Sequence, residues 1–203
     1  MLHSKEMEPV NIITRTAVWI ARMRHSRGFG VQSPSAYRFI RYVVSEHYPY
    51  YAYATMRQRH PRMQWHERKM GELYLRLANF CQAHELVSFG AVNDILREYI
   101  QHGCEATQVI EQNWKSLACT PDTWHFIRVS EVCCVGEALL TIMAYKDSDT
   151  VLIIEDIKRN AAARRLWQLC TESRTVSVSY DLYYCGIAFF DTKRNKQNYI
   201  VNF

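Results

Sequence analysis

The stretch Thr150-Val-Leu-Ile-Ile-Glu-Asp156 decides the fold, because it holds four consecutive apolar residues that end in two carboxylates. A short apolar run of this kind predicts a strand that is buried on both faces, as in a parallel sheet. Residues 161–170 follow it with the apolar spacing of a helix. A buried strand followed by a helix is the repeating unit of α/β proteins, so this stretch predicts that architecture.

The same alternation continues on both sides of this strand. Apolar runs and alternating segments predict further strands at residues 86–89, 107–111, 124–129, 175–180, 186–190 and 199–203. Helical spacing predicts helices at residues 92–102 and 132–145. Together these segments predict a mainly parallel sheet with helices on both faces. The closely spaced final strands predict an antiparallel C-terminal edge.

The first 83 residues predict helices and no strand of the sheet. Helical spacing covers residues 9–25, 34–46 and 66–83, and Ser33 with Pro34 is a typical cap and first-turn pair. The aromatic run Tyr48-Pro-Tyr-Tyr-Ala-Tyr53 predicts extended chain, and the basic residues 56–65 predict a loop. We therefore expect a helical extension at 1–83 packed on a sheet-bearing core at 84–203, as one structural unit.

Composition predicts one soluble core in a reducing compartment. The chain has 203 residues, of which 48% are hydrophobic, and no apolar run approaches the roughly 18 residues of a spanning helix. The N-terminus lacks the apolar segment of a secretory signal, so we expect a cytoplasmic protein. Seven scattered cysteines predict reduced thiols, and their spacing fits no structural zinc motif. Glu155 with Asp156 alone are an incomplete set of carboxylate ligands for a catalytic divalent ion, so we expect no metal.

Positive charge is concentrated in the first third of the chain. Residues 1–70 hold 12 Lys and Arg against 4 Asp and Glu, whereas residues 71–203 hold 13 against 16. Such a basic region could contact nucleic acid, an anionic lipid surface or an acidic cofactor, or it could be a solvated helical surface. Because no nucleic-acid-binding motif accompanies the charge, the sequence alone favours the solvated surface.

The predicted strand ends carry the candidate site. In an open parallel sheet, ligands bind beyond the carboxyl ends of the strands, where strand order reverses. Gly90 follows the first strand, and Glu111 lies 21 residues later at the end of the second. This spacing is typical of a glycine turn near a nucleoside and an acid on its ribose. Glu155 and Asp156 end the fourth strand and are the candidate catalytic residues.

Five blocks of the sequence resemble a small bacterial family of class I S-adenosylmethionine-dependent methyltransferases that has a His-Gly-x-His-Ser-Pro-like N-terminal element. The blocks occur in order along nearly the whole chain: Arg27-Gly-Phe-Gly-Val-Gln-Ser-Pro-Ser-Ala-Tyr-Arg-Phe39, Tyr50-Tyr-Ala-Tyr53, Arg76-Leu-Ala-Asn-Phe80, Leu152-Ile-Ile-Glu-Asp-Ile157 and Asp181-Leu-Tyr-Tyr-Cys-Gly-Ile-Ala-Phe-Phe190. The resemblance implies a Rossmann-like sheet that binds S-adenosylmethionine and a methyl acceptor that the sequence does not name. The cofactor-binding residues that it implies are Ser88, Gly90, Asp94, Glu111 and Ser130.

Two regions depart from the family pattern, the turn after the first strand and the third strand. The Gly-x-x-x-Gly turn keeps Gly90 but has Asp94 at the second glycine, and the third strand offers Arg128 and Ser130 in place of an acid. A carboxylate at 94 would repel the cofactor's own carboxylate, and a left-handed backbone there would be strained. The alternative interpretation is a catalytically inactive Rossmann-like protein that binds a protein or nucleic acid through its basic N-terminal third.

Simpler structural roles compete with the functional ones for several residues. Glu155 and Asp156 could cap the following helix, and Glu111 could be a solvated strand end. Gln32, Ser33 and Tyr37 could form a lid over the site, or could simply start a helix. The tyrosines at 48, 50, 51 and 53 could stack on a base, although covering the sheet is the favoured interpretation.

Overall fold

The computed structural model describes residues 11–46, 48, 50–115 and 123–203. One seven-stranded sheet lies at its centre, with the strand order β2-β1-β3-β4-β6-β5-β7. The strands are β1 (Glu85–Phe89), β2 (Gln108–Gln112), β3 (Phe126–Val129), β4 (Val151–Glu155), β5 (Val178–Asp181), β6 (Cys185–Phe189) and β7 (Gln197–Ile200). The α-helices are α1 (Ile12–Ala21), α2 (Pro34–Phe39), α3 (Tyr51–Arg59), α4 (Trp65–Cys81), α5 (Asp94–Gly103), α6 (Val135–Tyr145) and α7 (Ala161–Glu172).

The sheet is mainly parallel, as the alternation of apolar runs predicts. Strands β1 to β4 pair in parallel, and β6 runs antiparallel to both of its neighbours, β4 and β5. The antiparallel pairings therefore lie in the C-terminal part of the sheet, and the α/β, Rossmann-like fold class is confirmed. Because β2 and β3 flank β1 on opposite sides, strand order reverses at β1, which makes the carboxyl ends of β1 and β3 the switch point.

Helices cover both faces of the sheet. Consecutive residues of a strand point to opposite faces, and in β4 Ile153 joins one hydrophobic cluster while Ile154 joins the other. The first cluster contains Leu73 of α4 and Phe39 of α2, so the N-terminal helices share their core with the sheet. The second contains α6 and α7 residues such as Leu166. We call the side of the sheet that carries the first cluster the α4 face and the side that carries the second cluster the α7 face.

The N-terminal helices differ from prediction in one place. Helix α1 ends in a short 3-10 turn (Met23–His25), α2 continues into a π-helical turn (Ile40–Val44), and α4 matches the predicted third helix. Residues 51–59, predicted as extended chain and loop, instead form α3. Tertiary contacts explain this helix, because Met56 is fully buried and the Tyr53 hydroxyl accepts a hydrogen bond from Arg76 of α4. Tyr53 therefore packs against helices, and the prediction that it covers the sheet is wrong.

Candidate functional site

The structure brings four of the predicted site residues together at the switch point. Ser88 lies in β1, Gly90 follows it in a left-handed turn with φ of 109°, and Ser130 directly follows β3. Glu155 ends the adjacent strand β4. Carboxyl ends of neighbouring parallel strands meet at one edge, which is why residues so far apart in sequence are neighbours here.

A buried arginine crosses this crevice on the α4 face. Arg128 in β3 is only 6% exposed. Its Nη1 donates hydrogen bonds to Ser88 Oγ at 2.9 Å and to the carbonyl oxygens of Ala91 at 3.1 Å and Gly90 at 3.4 Å. Its Nε and Nη2 donate to the two carboxylate oxygens of Glu155 at 2.9 and 3.2 Å. One guanidinium therefore ties β1, the turn after it, and β4 together.

Tyr74 of α4 adds a hydrogen bond to this ion pair. Its hydroxyl donates to Glu155 Oε1 at 2.6 Å. Burial, reinforced by the Glu155 carboxylate, raises the pKa of Tyr74 well above its ordinary value. Burial alone would lower the pKa of Arg128, but Glu155 and Tyr74 outweigh that effect and raise it. Arg128 therefore stays charged, and the Glu155 carboxylate has a buried cation and a hydroxyl as partners.

An indole bridges the same two strand ends on the α7 face. The Trp114 ring stacks on Phe89, the last residue of β1, with centroids 3.5 Å apart and planes 9° from parallel. Trp114 Nε1 also donates to the carbonyl oxygen of Glu131 at 2.8 Å, just beyond β3. The crevice is thus closed by side chains from both faces of the sheet.

Backbone contacts close the space between the two faces. The amides of Ser130 and Glu131 both donate to the carbonyl oxygen of Phe89, at 2.9 and 3.1 Å. A Cβ placed on Gly90 would lie 2.2 Å from Ser130 Oγ, so the turn after β1 packs directly on the chain after β3. Gly90 is required here by this close approach and by its positive φ.

Asp94 and Glu111 take structural roles. Asp94 is the first residue of α5, where the backbone is helical, so the predicted left-handed strain at this position is wrong. Asn93 caps the helix by accepting a hydrogen bond from the Leu96 amide at 2.8 Å. The Glu111 carboxylate forms an ion pair with Arg97 of α5. The Glu111 carboxylate is therefore paired with a helix side chain, whereas Asp94 is an exposed acid at the start of α5.

A second polar group lies beside the carboxyl end of β4. Asp156 has φ of 54° and is 8% exposed, and its Oδ1 makes no hydrogen bond with the described residues, although Arg159 Nη1 is 3.9 Å away. Burial, with Glu155 adding to it, raises the pKa of Asp156. Asn160 accepts hydrogen bonds from the first turn of α7, so the interpretation of Glu155 and Asp156 as its cap is wrong.

His66 of α4 lies near Asp156, and no pattern in the sequence predicts it as a site residue. Its ring lies 5.1 Å from that of Tyr184, whose carbonyl oxygen accepts the Asp156 amide at 2.6 Å. Burial, together with the nearby charge of Arg159, lowers the pKa of His66. Its Nε2 is buried and makes no hydrogen bond within the described ranges. Among the described residues, Asp156 and His66 are thus the titratable groups that have a buried side-chain atom without a hydrogen bond.

The proposed lid residues lie at the other end of the sheet. Ser33 caps α2 by accepting from the Ala36 amide at 3.4 Å. It also lines an open pocket of about 190 Å³ with Gln197 and Val178, the first residues of β7 and β5. Those are the amino ends of strands that run parallel to β4, so the lid hypothesis for Ser33 is wrong.

Neither known proteins nor other features of the fold point to a different site. No protein-family model matches the sequence, and no curated protein is significantly similar to it. Across the described residues, no three His, Cys, Asp or Glu side chains converge as a metal site would need. Within the same ranges, no helix combines the length and apolar character needed to cross a membrane. The geometry of the chain itself therefore carries the functional argument.

Proposed function

We propose that this chain is a non-catalytic, Rossmann-like binding protein whose sheet resembles that of a methyltransferase but does not bind S-adenosylmethionine. The observation that carries the proposal is the closed switch point, where Arg128 occupies the α4 side and Trp114 bridges the α7 side. In open α/β sheets this crevice is where a nucleotide cofactor binds. Here it is part of the hydrogen-bonded interior.

The energetic cost of opening the crevice supports this proposal. An adenosyl cofactor in this crevice would have to displace Arg128 from Glu155, and removing one partner of a buried ion pair typically costs about 3–5 kcal/mol. Since about 1.4 kcal/mol is tenfold in affinity, cofactor binding would weaken by about a hundredfold to several thousandfold. The guanidinium would also repel the sulfonium charge of the cofactor.

The residues implied as cofactor ligands have other partners, which also supports the proposal. Ser88 Oγ donates to the Gly90 carbonyl oxygen at 2.9 Å while it accepts from Arg128. Glu111 forms an ion pair with Arg97, and Ser130 Oγ donates a hydrogen bond to the Phe89 carbonyl oxygen at 3.3 Å. The side chains at the switch point therefore do not fit S-adenosylmethionine.

Isothermal titration calorimetry with S-adenosylmethionine and S-adenosylhomocysteine tests the proposal. We expect no saturable heat up to about 1 mM, a limit that corresponds to roughly 4 kcal/mol of binding free energy. Saturable binding below that concentration would overturn the proposal. A repeat with Arg128→Ser, after its folding is checked by circular dichroism, would show whether the guanidinium is what excludes the ligand.

The second candidate is the S-adenosylmethionine-dependent methyltransferase that the sequence resembles. Asp156 and His66 favour it, because buried titratable groups with unused hydrogen-bonding atoms and shifted pKa values are typical of acid–base sites. This candidate requires the Arg128–Glu155 pair to open when ligands bind. Saturable heat in the titration above would favour it over the binding protein.

A further inference from the structure

The N-terminal third is unusually rich in arginine. Residues 9–66 contain nine Arg, no Lys and a single acidic residue, Glu46. Arginine binds phosphate with two parallel hydrogen bonds and stacks on flat ring systems, whereas lysine does neither. A segment that carries arginine alone is therefore suited to ligands that combine phosphates with rings.

Several of these arginines have no acidic partner in the part of the chain that the structure describes. Four are committed to other groups, because Arg22, Arg57 and Arg59 form ion pairs and Arg15 lies over the Trp65 ring. The other five make no ion pair with any residue in the described part of the chain: Arg24, Arg27, Arg38, Arg41 and Arg62. Their charge is available to an anionic ligand.

Two of the unpaired arginines alternate with tyrosines on one helical surface. The buried side of α2 and its π-helical turn consists of Ala36, Phe39, Ile40, Val43 and Val44. The opposite side presents Tyr37, 43% exposed, and Tyr42, 62% exposed, together with Arg38 and Arg41. Because helical residues four apart are neighbours, Tyr37 lies beside Arg41 and Arg38 beside Tyr42. We call these four residues the arginine–tyrosine face.

Neighbouring groups extend this face at both of its sides. The turn that carries Arg27 and Phe29 contacts it, since a Cβ on Gly28 would lie 3.0 Å from the Tyr37 ring. The 190 Å³ pocket adjoins the start of α2 and is lined by hydroxyl, amide and guanidinium groups from Ser35, Asn195 and Arg194. It is smaller than the roughly 300 Å³ of a typical small-molecule site, which suits one base or phosphate of a longer ligand.

We infer that the arginine–tyrosine face binds single-stranded nucleic acid, which names the partner class of the proposed binding function and rests on it. Arg38 and Arg41 would bind backbone phosphates, while exposed bases would stack on Tyr37 and Tyr42. Duplexes fit less well, because paired bases are stacked on each other and cannot lie on a tyrosine ring. The partner is RNA or DNA, which share this chemistry.

Fluorescence anisotropy with labelled oligonucleotides of about 12 nucleotides tests this inference, since single-strand sites span roughly 4–16 nucleotides. The probes are oligo(U), oligo(dT) and a DNA duplex. We expect both single strands to bind more tightly than the duplex, with affinity that falls steeply between about 50 and 200 mM salt. The relative affinities of the two single strands show which nucleic acid is preferred.

Two matched variants locate the surface. Arg38→Gln with Arg41→Gln, and separately Tyr37→Ala with Tyr42→Ala, should each weaken single-strand binding at least about tenfold. The control, Arg165→Gln with Arg174→Gln, removes the same charge from exposed positions on and just after α7 and should leave affinity within about twofold. Equal loss in the control and in the arginine variant would show non-specific charge attraction and would overturn the inference.

Other outcomes separate this inference from the function on which it rests. Failure of every oligonucleotide to bind at low salt, with S-adenosylmethionine also unbound, would refute the nucleic-acid surface and leave the closed crevice standing. Binding to anionic phosphatidylglycerol vesicles but to no oligonucleotide would also refute it, in favour of a lipid surface. Saturable cofactor binding would overturn the proposed function whatever the oligonucleotides do.

Discussion

The switch-point crevice and the arginine–tyrosine face both depend on arginine but use it in opposite ways. Arg128 is buried, is paired with Glu155, and donates hydrogen bonds to Ser88 and two carbonyl oxygens. Arg38 is exposed, Arg41 is half-buried, and neither makes an ion pair with a described residue. A buried cation that is held by an ion pair and several hydrogen bonds stabilises the protein and is withdrawn from ligands, whereas an unpaired cation that reaches solvent is available to them.

The largest effect should come from breaking the buried pair at the crevice. Arg128→Ala would leave the partly buried Glu155 carboxylate with the Tyr74 hydroxyl as its one hydrogen-bond donor among the described side chains. We expect a loss of about 3–5 kcal/mol in the free energy of unfolding. Urea denaturation followed by circular dichroism measures this loss.

The double variant Arg128→Met with Glu155→Met is the control for that change. Replacing both charges with apolar side chains of similar size removes the unpaired carboxylate and should cost far less than the single substitution. A single-variant loss below about 1 kcal/mol would contradict the view that the pair holds the crevice closed.

Gly90→Ala should have the next largest effect. The left-handed backbone costs a residue with a Cβ about 1–2 kcal/mol, and the close approach to Ser130 Oγ adds to that. We expect about 2 kcal/mol or more of destabilisation by thermal or urea unfolding. Gly136→Ala in α6 is the matched control, since no atom of the described residues beyond its own helix backbone would lie within 4 Å of the added Cβ. Helix propensity should make this change neutral or stabilising.

Lys69 lies between these two cases: like Arg128 it is largely buried, and like Arg38 it forms no ion pair among the described residues. Burial, followed by the nearby charge of Arg76, lowers its pKa to about 8, and its Nζ lies over the rings of Phe203 and Trp65. The folded state is thus penalised below pH 8, where the amine is charged, and the penalty disappears by about pH 10.4, the ordinary pKa. Stability should therefore rise with pH across this window.

The variant Lys69→Met tests that pH dependence. It should be more stable than the wild type by about 1–2 kcal/mol at pH 7, after discounting for solvent screening, and this advantage should vanish near pH 10. Unfolding midpoints of both proteins at the two pH values measure it. An advantage that is the same at both pH values would show that packing, and not charge, explains the difference.

The smallest effect on stability is expected at the arginine–tyrosine face. Arg38→Gln with Arg41→Gln removes unpaired surface charges and should change the unfolding free energy by less than about 0.5 kcal/mol. Thermal unfolding at low and high salt measures this. A larger loss would mean that these arginines stabilise the fold and would weaken the contrast with Arg128.

The strands and the placement of several site residues could be predicted because they depend on local pattern. Apolar runs located the strands, and the shared edge of parallel strands brought Ser88, Gly90, Ser130 and Glu155 together. The predicted fold class is confirmed on this basis. The expectation of S-adenosylmethionine-dependent methyl transfer is not tested by the fold and stays a prediction.

The closure of the crevice could not be predicted, because it depends on contacts between distant residues. The sequence shows Arg128 as a charge in an apolar strand, a pattern that requires a buried partner. It does not show which way the side chain points or that Tyr74 contributes a hydrogen bond. Trp114 lies in a turn whose sequence gives no sign that its ring stacks on Phe89. Likewise, α3 is stabilised by contacts with α4 and α5, which cannot be predicted from the helix preferences of its own residues.

Amide chemical-shift mapping of the 15N-labelled protein tests the central claim most directly. S-adenosylhomocysteine is added to about 5 mM, well above the 1 mM that corresponds to roughly 4 kcal/mol of binding. A closed crevice predicts that the amides of Gly90, Ser130 and Glu131 do not shift. Saturable shifts at those three amides would show that the crevice opens to accept an adenosyl group, and would contradict the account.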